Sequence, residues 1–258
     1  MRAVRVLGEV ACIASEDTRR TKILLKHFDI KTQLISYYRE KEAIRSDQII
    51  GLLEQGKDIA LVSDAGTPCI SDPGTVLIEK AHKRGIRVSP VPGASALTAA
   101  LSLSGMLSDT ILFLGFPPNR KSARRKVLLS LKNEPHLLVF YESPKRIIGC
   151  LQDIYDIFGD RNVFVVRELT KIHEEYFSGA ASSVIKSLSQ KDVVKGEFVV
   201  ILEGGAGERA PDCADIHQLI QWYKKQGDLS LSDSVKKISK DIGVAKAKVY
   251  KEALKIWD

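Results

Sequence analysis

Hydrophobic and polar positions along the chain follow two different periods. Short apolar runs at 11–15, 58–63 and 87–91 predict buried strands. The segments 45–56 and 74–85 instead carry apolar residues at helical spacing and end in glycine. Strands that alternate with helices in this way predict an α/β layer built on a mostly parallel sheet.

The same alternation returns in the second part of the chain. Strands are predicted at 110–116, 136–143, 162–169 and 197–204, and helices at 124–132 and 145–159. A helix rich in small residues is expected at 93–105, and the boundary between two α/β domains falls at about 107–109. We therefore expect an N-terminal α/β domain over residues 1–107 and a C-terminal α/β domain over residues 108–205.

The pattern changes beyond residue 204. The stretch GGAGERAPD is typical of a linker, and two helical segments follow at 213–226 and 231–257. Gly243 interrupts the second segment, which predicts a small helix-turn-helix. We expect residues 206–258 to form a linker and a helical tail that either touches RNA or packs in a dimer.

Composition sets limits on the class of protein. The chain has 258 residues, 44% of them hydrophobic, and can bury a substantial core. Its apolar runs are shorter than the roughly 18 residues of a membrane span, and early charges interrupt the pattern of a signal peptide. We expect a cytoplasmic protein with no membrane contact.

Cysteine and histidine positions argue against several kinds of site. The four cysteines are far apart with no CxxC pair, and the five histidines are scattered with no HExxH motif. We expect reduced, mostly buried thiols and no metal site. Since GxSxG is also absent from the sequence, Ser-His-Asp hydrolysis has no support.

The basic residues are both in excess and unevenly distributed along the chain. There are 39 Lys and Arg residues against 32 Asp and Glu, a net charge of +7 that favours anionic partners. Five basic residues fall within NRKSARRK, residues 119–126. This segment predicts either a solvated loop and helix start or a set of phosphate contacts with a nucleic acid.

Two polar loops follow predicted strands. They are LVSDAGTPCISDPG, residues 61–74, and PVPGASA, residues 90–96. Their glycines allow close approach to a ligand, and Asp72 either faces that ligand or caps the helix that begins near Pro73. Because ligands bind at the carboxyl ends of strands in open α/β sheets, the two loops predict a cleft. Neither GxGxxG nor GxxxxGK[ST] occurs, so ordinary nucleotide motifs do not explain it.

Seven ordered motifs resemble one protein family. They are ASEDTRRTKILLKHF, LVSDAGTPCISDPG, VPGASALTAALSLSG, FLGFPP, FYESPKRI, VRELTKIHEEYFSG and GEFVVILEG. In order and wording they resemble the RsmI-type ribosomal RNA small subunit methyltransferases, of the tetrapyrrole methylase superfamily. The resemblance covers residues 2–204 closely and the helical tail more loosely. Family members usually carry a strand and a TPIGNLxD loop before the helix that corresponds here to residues 2–10, and this sequence lacks both.

The resemblance implies a fold, a reaction and a cofactor. It implies two α/β domains, usually in a homodimer, and S-adenosylmethionine-dependent 2′-O-methylation of a cytidine in the decoding region of small-subunit (16S) rRNA. The methyl donor would bind between the domains. The residues implied to line it are Ser63, Asp64, Ala65, Gly66, Thr67, Pro92, Gly93, Ala94 and Ser95 from the first domain, with Phe116 and Tyr141 from the second.

Methylation of a hydroxyl gains from a base that accepts its proton. The candidates are Glu16, Asp17, Glu142 and Glu168, the last with Lys171. Each has a structural alternative. Glu16 and Asp17 are also suited to cap a helix over 18–27, Glu142 to orient Arg146, and Glu168 to form an ion pair with Lys171.

Basic residues in or beside the motifs are candidates for contacts with rRNA phosphates. They are Arg19, Arg20, Arg120, Lys121, Arg124, Arg125, Lys145 and Arg146. Tyr37 and Tyr38 either stack on an unpaired base or belong to the core.

Two other functions share these features. A methyltransferase that acts on tetrapyrroles would have the same fold and donor loops, but less need of the basic cluster and the tail. A non-catalytic RNA-binding protein is the second alternative, if the chain does not bind the donor without the usual first strand.

Overall fold

The computed structural model describes residues 1–191, 193–205, 213–226, 229–242 and 244–257. Within these residues the chain forms eleven α-helices and eight strands, arranged in two sheets. No helix among them is both long and apolar enough to cross a membrane. The α/β class is therefore confirmed.

The first sheet is entirely parallel. Its strands are β1 (Cys12–Ser15), β2 (Gln33–Ser36) and β3 (Ile59–Val62), in the order β2-β1-β3. The helices of this part are α1 (Arg2–Glu9), α2 (Thr18–His27), α3 (Glu42–Glu54) and α4 (Thr75–Lys83). Because each strand leads into a helix, all three strands end at the same edge of the sheet.

The predicted strand at 87–91 is wrong. The structure describes all of residues 86–95, and they contain neither helix nor strand. Pro90 and Pro92 lack the N–H that a strand donates to its neighbour, and Val88 is exposed. The apolar run therefore continues as a connection without becoming part of the sheet. In contrast, β2 was not expected, because only Leu34 and Ile35 mark it as apolar.

The second sheet is mixed, so the expected parallel arrangement holds only for the first. Its strands are β4 (Ile111–Phe113), β5 (Leu137–Glu142), β6 (Asn162–Arg167), β7 (Glu175–Ala180) and β8 (Phe198–Leu202), in the order β4-β5-β8-β6-β7. Only β4 and β5 pair in parallel. The loop 168–174 turns β6 back into β7, which forces antiparallel pairing there.

Helices cover both faces of the second sheet. They are α5 (Ala96–Ser104), α6 (Lys121–Ser130), α7 (Ile147–Phe158) and α8 (Ala181–Ser189). One face packs on α7 through Ile147, Leu151 and Ile154, all fully buried. The other face packs on α5 through Ala100. Helix α5 thus shares its core with the second sheet although it precedes the predicted domain boundary.

The tail forms a separate helical unit with its own core. It contains α9 (Cys213–Gln226), α10 (Leu231–Asp241) and α11 (Lys246–Ala253). Ile216, Ile238 and Val249 meet in its interior, each no more than 1% exposed. The expected break between two helices near residue 243 is confirmed by the end of α10 and the start of α11.

Candidate active site at the edge of the parallel sheet

Loop 63–74, which follows β3, lies at the edge where the parallel strands end. The ends of β1 and β2 bring Glu16 and Arg39 to the same edge. Arg39 Nη2 donates to the main-chain oxygen of Ser71 at 2.8 Å, so the segment after β2 holds the loop directly. The sheet thus places three separate chain segments in one small region.

Glu42, at the start of α3, fixes the far end of this loop. Its Oε1 accepts hydrogen bonds from the main-chain N–H of Gly74 at 2.8 Å and of Val76 at 3.3 Å. These are N–H groups at the start of α4, which lack partners within the helix. The alternative in which Asp72 caps α4 is therefore wrong, because Glu42 accepts the hydrogen bonds of these N–H groups.

Gly74 is required by the close packing of the loop. Its φ of 144° lies in the region that side chains rarely adopt. A Cβ at this position would collide with Cys69 Sγ and Leu61 Cδ2. The loop is therefore folded tightly onto the end of β3.

Three carboxylates and two arginines gather at this edge. Glu16 Oε2 accepts a hydrogen bond from the main-chain N–H of Asp64 at 3.3 Å. Arg20 lies 3.3 Å from the Asp64 carboxylate. Burial raises the pKa of Glu16, and the negative charges of Asp72 and Asp64 raise it further. Burial likewise raises the pKa of Asp72. Glu16 therefore holds a proton more readily than an ordinary glutamate.

The second polar loop lies against the first. Thr67 Oγ1 donates to the main-chain oxygen of Ala94 at 3.5 Å. A Cβ on Gly66, whose φ is 77°, would lie 3.5 Å from the same oxygen. The two loops thus approach each other through main-chain atoms and small side chains.

The second sheet contributes the opposite side of the site. Ser71 Oγ is buried and has no hydrogen-bond partner among the described residues. A Cβ on Gly115, just beyond β4, would lie 3.6 Å from this oxygen. The ring of Phe116, half exposed, packs edge-on against Tyr141 at 5.5 Å. An unsatisfied buried hydroxyl beside a glycine has spare hydrogen-bonding capacity for a polar group of a ligand.

The other proposed bases already have partners. Asp17 caps α2, and its pKa falls to about 2 because Arg19 hydrogen-bonds to it. Glu142 is fully buried, 3.0 Å from Arg146, as expected if it orients that arginine. Glu168 accepts from Lys171 at 2.8 Å and from the N–H of Glu197 at 3.0 Å.

These contacts change the suitability of Glu168 as a base. The hydrogen bond from Lys171 lowers the pKa of Glu168, so the carboxylate binds a proton weakly. Glu168 also adopts a positive φ of 49° in the loop after β6. The Glu168–Lys171 pair thus fixes a turn, and among the four carboxylates Glu16 best fits the role of base.

The expected phosphate contacts divide into exposed and structural residues. Arg19, Arg20, Arg120, Lys121 and Lys145 are exposed. Arg124 is 5% exposed and donates through Nε and Nη2 to the fully buried Asp153, so its assignment as an RNA contact is corrected to a core ion pair. Its position on α6 faces α7, which the basic run in the sequence did not reveal.

Arg125 and Arg146 are also held by protein groups. Arg125 Nη1 bonds to Asp153 and to Asp156, at 2.9 and 2.8 Å. Arg146 donates to the main-chain oxygen of Pro117 at 2.7 Å and supports the segment after β4. Both keep only part of their surface exposed.

The two tyrosines after β2 have different surroundings. Tyr37 is fully buried, with its hydroxyl 2.9 Å from Ser46 Oγ, so it belongs to the core. Tyr38 is half-buried, with Lys41 5.7 Å from its ring centre. The structural alternative is therefore confirmed for Tyr37.

Sequence reasoning missed Glu42, Arg39 and Ser71. Glu42 and Arg39 lie in YREKE, which has the pattern of a solvated charged turn. Their role depends on contacts with residues about 32 positions later, as in Arg39 to Ser71 and Glu42 to Gly74. No local motif carries that information. Among the described residues there is no cluster of His, Cys, Asp and Glu that could hold a metal ion.

Comparisons with known proteins agree with this architecture. A family model for Tetrapyrrole (Corrin/Porphyrin) Methylases matches residues 1–185. The "Ribosomal RNA small subunit methyltransferase I" of Thermotoga maritima is 46% identical over 204 residues, which are 79% of this chain and 91% of that protein. The chain belongs to this methyltransferase family. A protein of the same name from Halalkalibacterium halodurans is 41% identical over 96% of this chain and 87% of its own.

Solved structures share the fold at low sequence identity. The methyltransferase CobJ has a TM-score of 0.59 at 16% identity, over 80% of this chain and 87% of its own. A uroporphyrin-III C-methyltransferase from Thermus thermophilus, complexed with S-adenosylhomocysteine, has a TM-score of 0.52 at 15% identity, over 81% of this chain and 91% of its own. Membership of this methyltransferase family confirms S-adenosylmethionine as the methyl donor.

Proposed function

We propose that this chain transfers a methyl group from S-adenosylmethionine to the ribose 2′-hydroxyl of a cytidine in the decoding region of small-subunit rRNA. The relatives named ribosomal RNA small subunit methyltransferase I support the substrate class. The observation that carries the proposal is the convergence of Glu16, the two loops and the unpartnered Ser71 hydroxyl at one sheet edge.

The loops are suited to hold the donor. Ser63, Asp64, Ala65, Gly66 and Thr67 supply one wall, and Pro92, Gly93, Ala94 and Ser95 supply the next. Phe116 and Tyr141 close the site from the second sheet, and the Ser71 hydroxyl has a free hydrogen-bonding capacity towards it. Bound S-adenosylmethionine supplies a methyl group on a positively charged sulfur.

The protein must then position and deprotonate the hydroxyl. In-line displacement needs the attacking oxygen about 3–3.5 Å from the methyl carbon, so alignment supplies much of the rate. Glu16 accepts the hydroxyl proton, which is expected to add roughly 10²–10⁴-fold. Its raised pKa matches this role, because a base that binds a proton more firmly accepts it more readily.

Cations around the site are suited to hold the rRNA backbone. Arg19, Arg20, Arg120, Lys121 and Lys145 are exposed and contact phosphates in this proposal. The proposed substrate is small-subunit rRNA, either free or in the assembled small ribosomal subunit, and the proposed location of the enzyme is the cytoplasm. We also propose that it acts as a homodimer, as the family resemblance implies.

The direct test is methyl transfer by the purified chain. Small subunits isolated without this methylation are incubated with isotopically labelled S-adenosylmethionine, and the rRNA is digested and analysed by mass spectrometry. We expect label in 2′-O-methylcytidine from the decoding region. Label only in a base, or label only when uroporphyrinogen III replaces the subunits, would reject the proposal.

A further inference from the structure

A cavity outside the proposed active site lies between the end of α2 and the outer side of β2. Its volume is about 500 Å³, and it is open to solvent. Its floor is apolar and its rim is basic. The lining residues that matter for this inference are Leu25, Ile30 and Leu34 on the floor and Lys22, Lys26 and Lys31 on the rim.

The charge of the rim is not balanced by the cavity itself. Asp29 is the one acidic residue among those that line the cavity, against three lysines. Within the described part of the chain, none of these three lysines forms an ion pair, and all three are exposed. The cavity therefore presents an excess of positive charge to an anionic ligand.

The lysines continue a row of cations that starts at the active site. Arg19, Lys22 and Lys26 are spaced three and four residues apart, so they share one side of α2. With a rise of about 1.5 Å per residue, the row spans about 10 Å, which equals about three phosphate steps of 3.4 Å along the axis of a duplex. It begins beside Arg20, which reaches Asp64, and ends at the cavity.

The outer side of β2 adds polar main-chain groups to the cavity. Among the described strands, β2 pairs only with β1, so the N–H and C=O groups of its other side have no strand partner. Gln33, at the start of β2, is exposed there. Such main-chain groups suit the phosphates and 2′-hydroxyls of RNA, and the lysines beside them add the positive charge that phosphates require.

We propose that this cavity, with Lys22, Lys26 and Lys31, is a second RNA-binding site that holds the rRNA strand as it leaves the active site along α2. Phosphates contact the three lysines, and an unstacked base or ribose lies on Ile30 and Leu34, which are only partly buried. The inference rests on the proposed function, because it takes rRNA as the substrate. It explains why the basic residues of α2 extend beyond the catalytic edge.

The test compares the triple variant Lys22→Gln/Lys26→Gln/Lys31→Gln with wild type. Binding to a protein-free RNA fragment of the decoding region is measured between 50 and 200 mM salt. Loss of three single-strand contacts should reduce the salt slope by about 2, so the wild type should lose about 15-fold more affinity than the variant over this range. The matched control changes three exposed lysines elsewhere: Lys83→Gln/Lys132→Gln/Lys186→Gln.

Three further measurements separate the explanations. Lys26 lies in the last turn of α2, where a cation also stabilises the helix, so thermal unfolding is recorded for each variant. We expect unchanged kcat and unchanged S-adenosylmethionine affinity, with a raised KM for small subunits. Equal salt slopes of RNA binding in the two triple variants would overturn the inference. Weaker binding of the first triple variant to small subunits, without weaker binding to free RNA, would also overturn it, because it would indicate a protein partner.

Different results would reject the proposed function and the second RNA-binding site. If wild type binds the RNA fragment with the expected slope but methylates no small subunits, the enzymatic proposal fails and the RNA site stands. If wild type methylates and the triple variant has wild-type slope and KM, the RNA site fails alone.

Discussion

Glu42 accepts a hydrogen bond from the main-chain N–H of Gly74 at 2.8 Å, although 31 residues separate the two along the chain. The same oxygen binds the N–H of Val76. Removal of this acceptor in Glu42→Ala should lower the free energy of unfolding by about 1–2 kcal/mol and weaken donor binding. Chemical denaturation and calorimetric titration with S-adenosylmethionine measure both. Glu42→Gln keeps an oxygen acceptor, so it should lose much less stability and donor affinity. Equal losses of both quantities in the two variants would contradict this role of Glu42.

Gly74 allows a backbone conformation that a side chain would prevent. Gly74→Ala should destabilise the protein by about 1–3 kcal/mol or distort the loop, because the added methyl group meets Cys69 and Leu61. Gly51→Ala is the matched control. It lies in α3 with nothing within 4 Å of the added Cβ, and is expected to stabilise by about 0.5–1 kcal/mol. Thermal unfolding of the two variants should therefore shift in opposite directions.

The Ser71 hydroxyl is available for a ligand. Ser71→Ala should not reduce stability, since an unsatisfied buried hydroxyl costs about 1–3 kcal/mol. It should reduce S-adenosylmethionine affinity by about two- to tenfold, the loss of one hydrogen bond. The control Ser234→Ala removes another buried hydroxyl without a described partner, in α10, and should leave donor affinity unchanged. Wild-type affinity in Ser71→Ala would remove this hydroxyl from the donor site.

The pH dependence of methyl transfer reports on Glu16. The base must be ionised, so kcat/KM should fall as the pH drops through the pKa of Glu16. Burial raises this pKa above the ordinary value of about 4.3, so the fall should begin at higher pH than for an exposed glutamate. Glu16→Gln should lower kcat by roughly 10²–10⁴-fold and abolish this limb.

Asp72 provides the control for the pH experiment, because burial raises its pKa as well. Asp72→Asn should retain the acid limb of the profile. If the limb persists in Glu16→Gln and disappears in Asp72→Asn, then Asp72 is the base.

Arg124 is expected to stabilise the second sheet and not to bind RNA. Arg124→Ala leaves Asp153 buried without its main partner, and should lower the free energy of unfolding by about 3–5 kcal/mol. The salt slope of RNA binding, measured under conditions where the variant is folded, should not change. Arg120 is exposed in the same basic run, so Arg120→Ala should leave the free energy of unfolding nearly unchanged and reduce the salt slope of RNA binding.

Much of the fold could be predicted because its signals are local. Strand β1 and helix α7 follow from the spacing of apolar residues, and the predicted end of α4 lies two residues from the observed one. Strand β7 has only weak apolar alternation and contains Gly179, so its identity depends on pairing with β6. The stretch 87–91 shows the converse, an apolar pattern without a pairing strand.

The sequence predicted the loops of the candidate site but not the residues that hold those loops in place. Glycine and proline mark the loop 63–74 because its backbone conformation requires them. The roles of Glu42 and Arg39 depend on the folded arrangement of distant segments. Likewise, Arg124 and Arg120 belong to one basic run, and only the packing of α6 on α7 separates a core residue from a surface one.

The packing of α5 on the second sheet has a mechanical consequence. Residues 86–95 connect α4, beside the first sheet, to α5, and carry Pro92–Ser95 on the way. A change in the angle between the two sheets would have to be absorbed by this irregular connection. The second loop, which we propose lines the methyl donor, lies within these ten residues, so such a change would also move the proposed donor site.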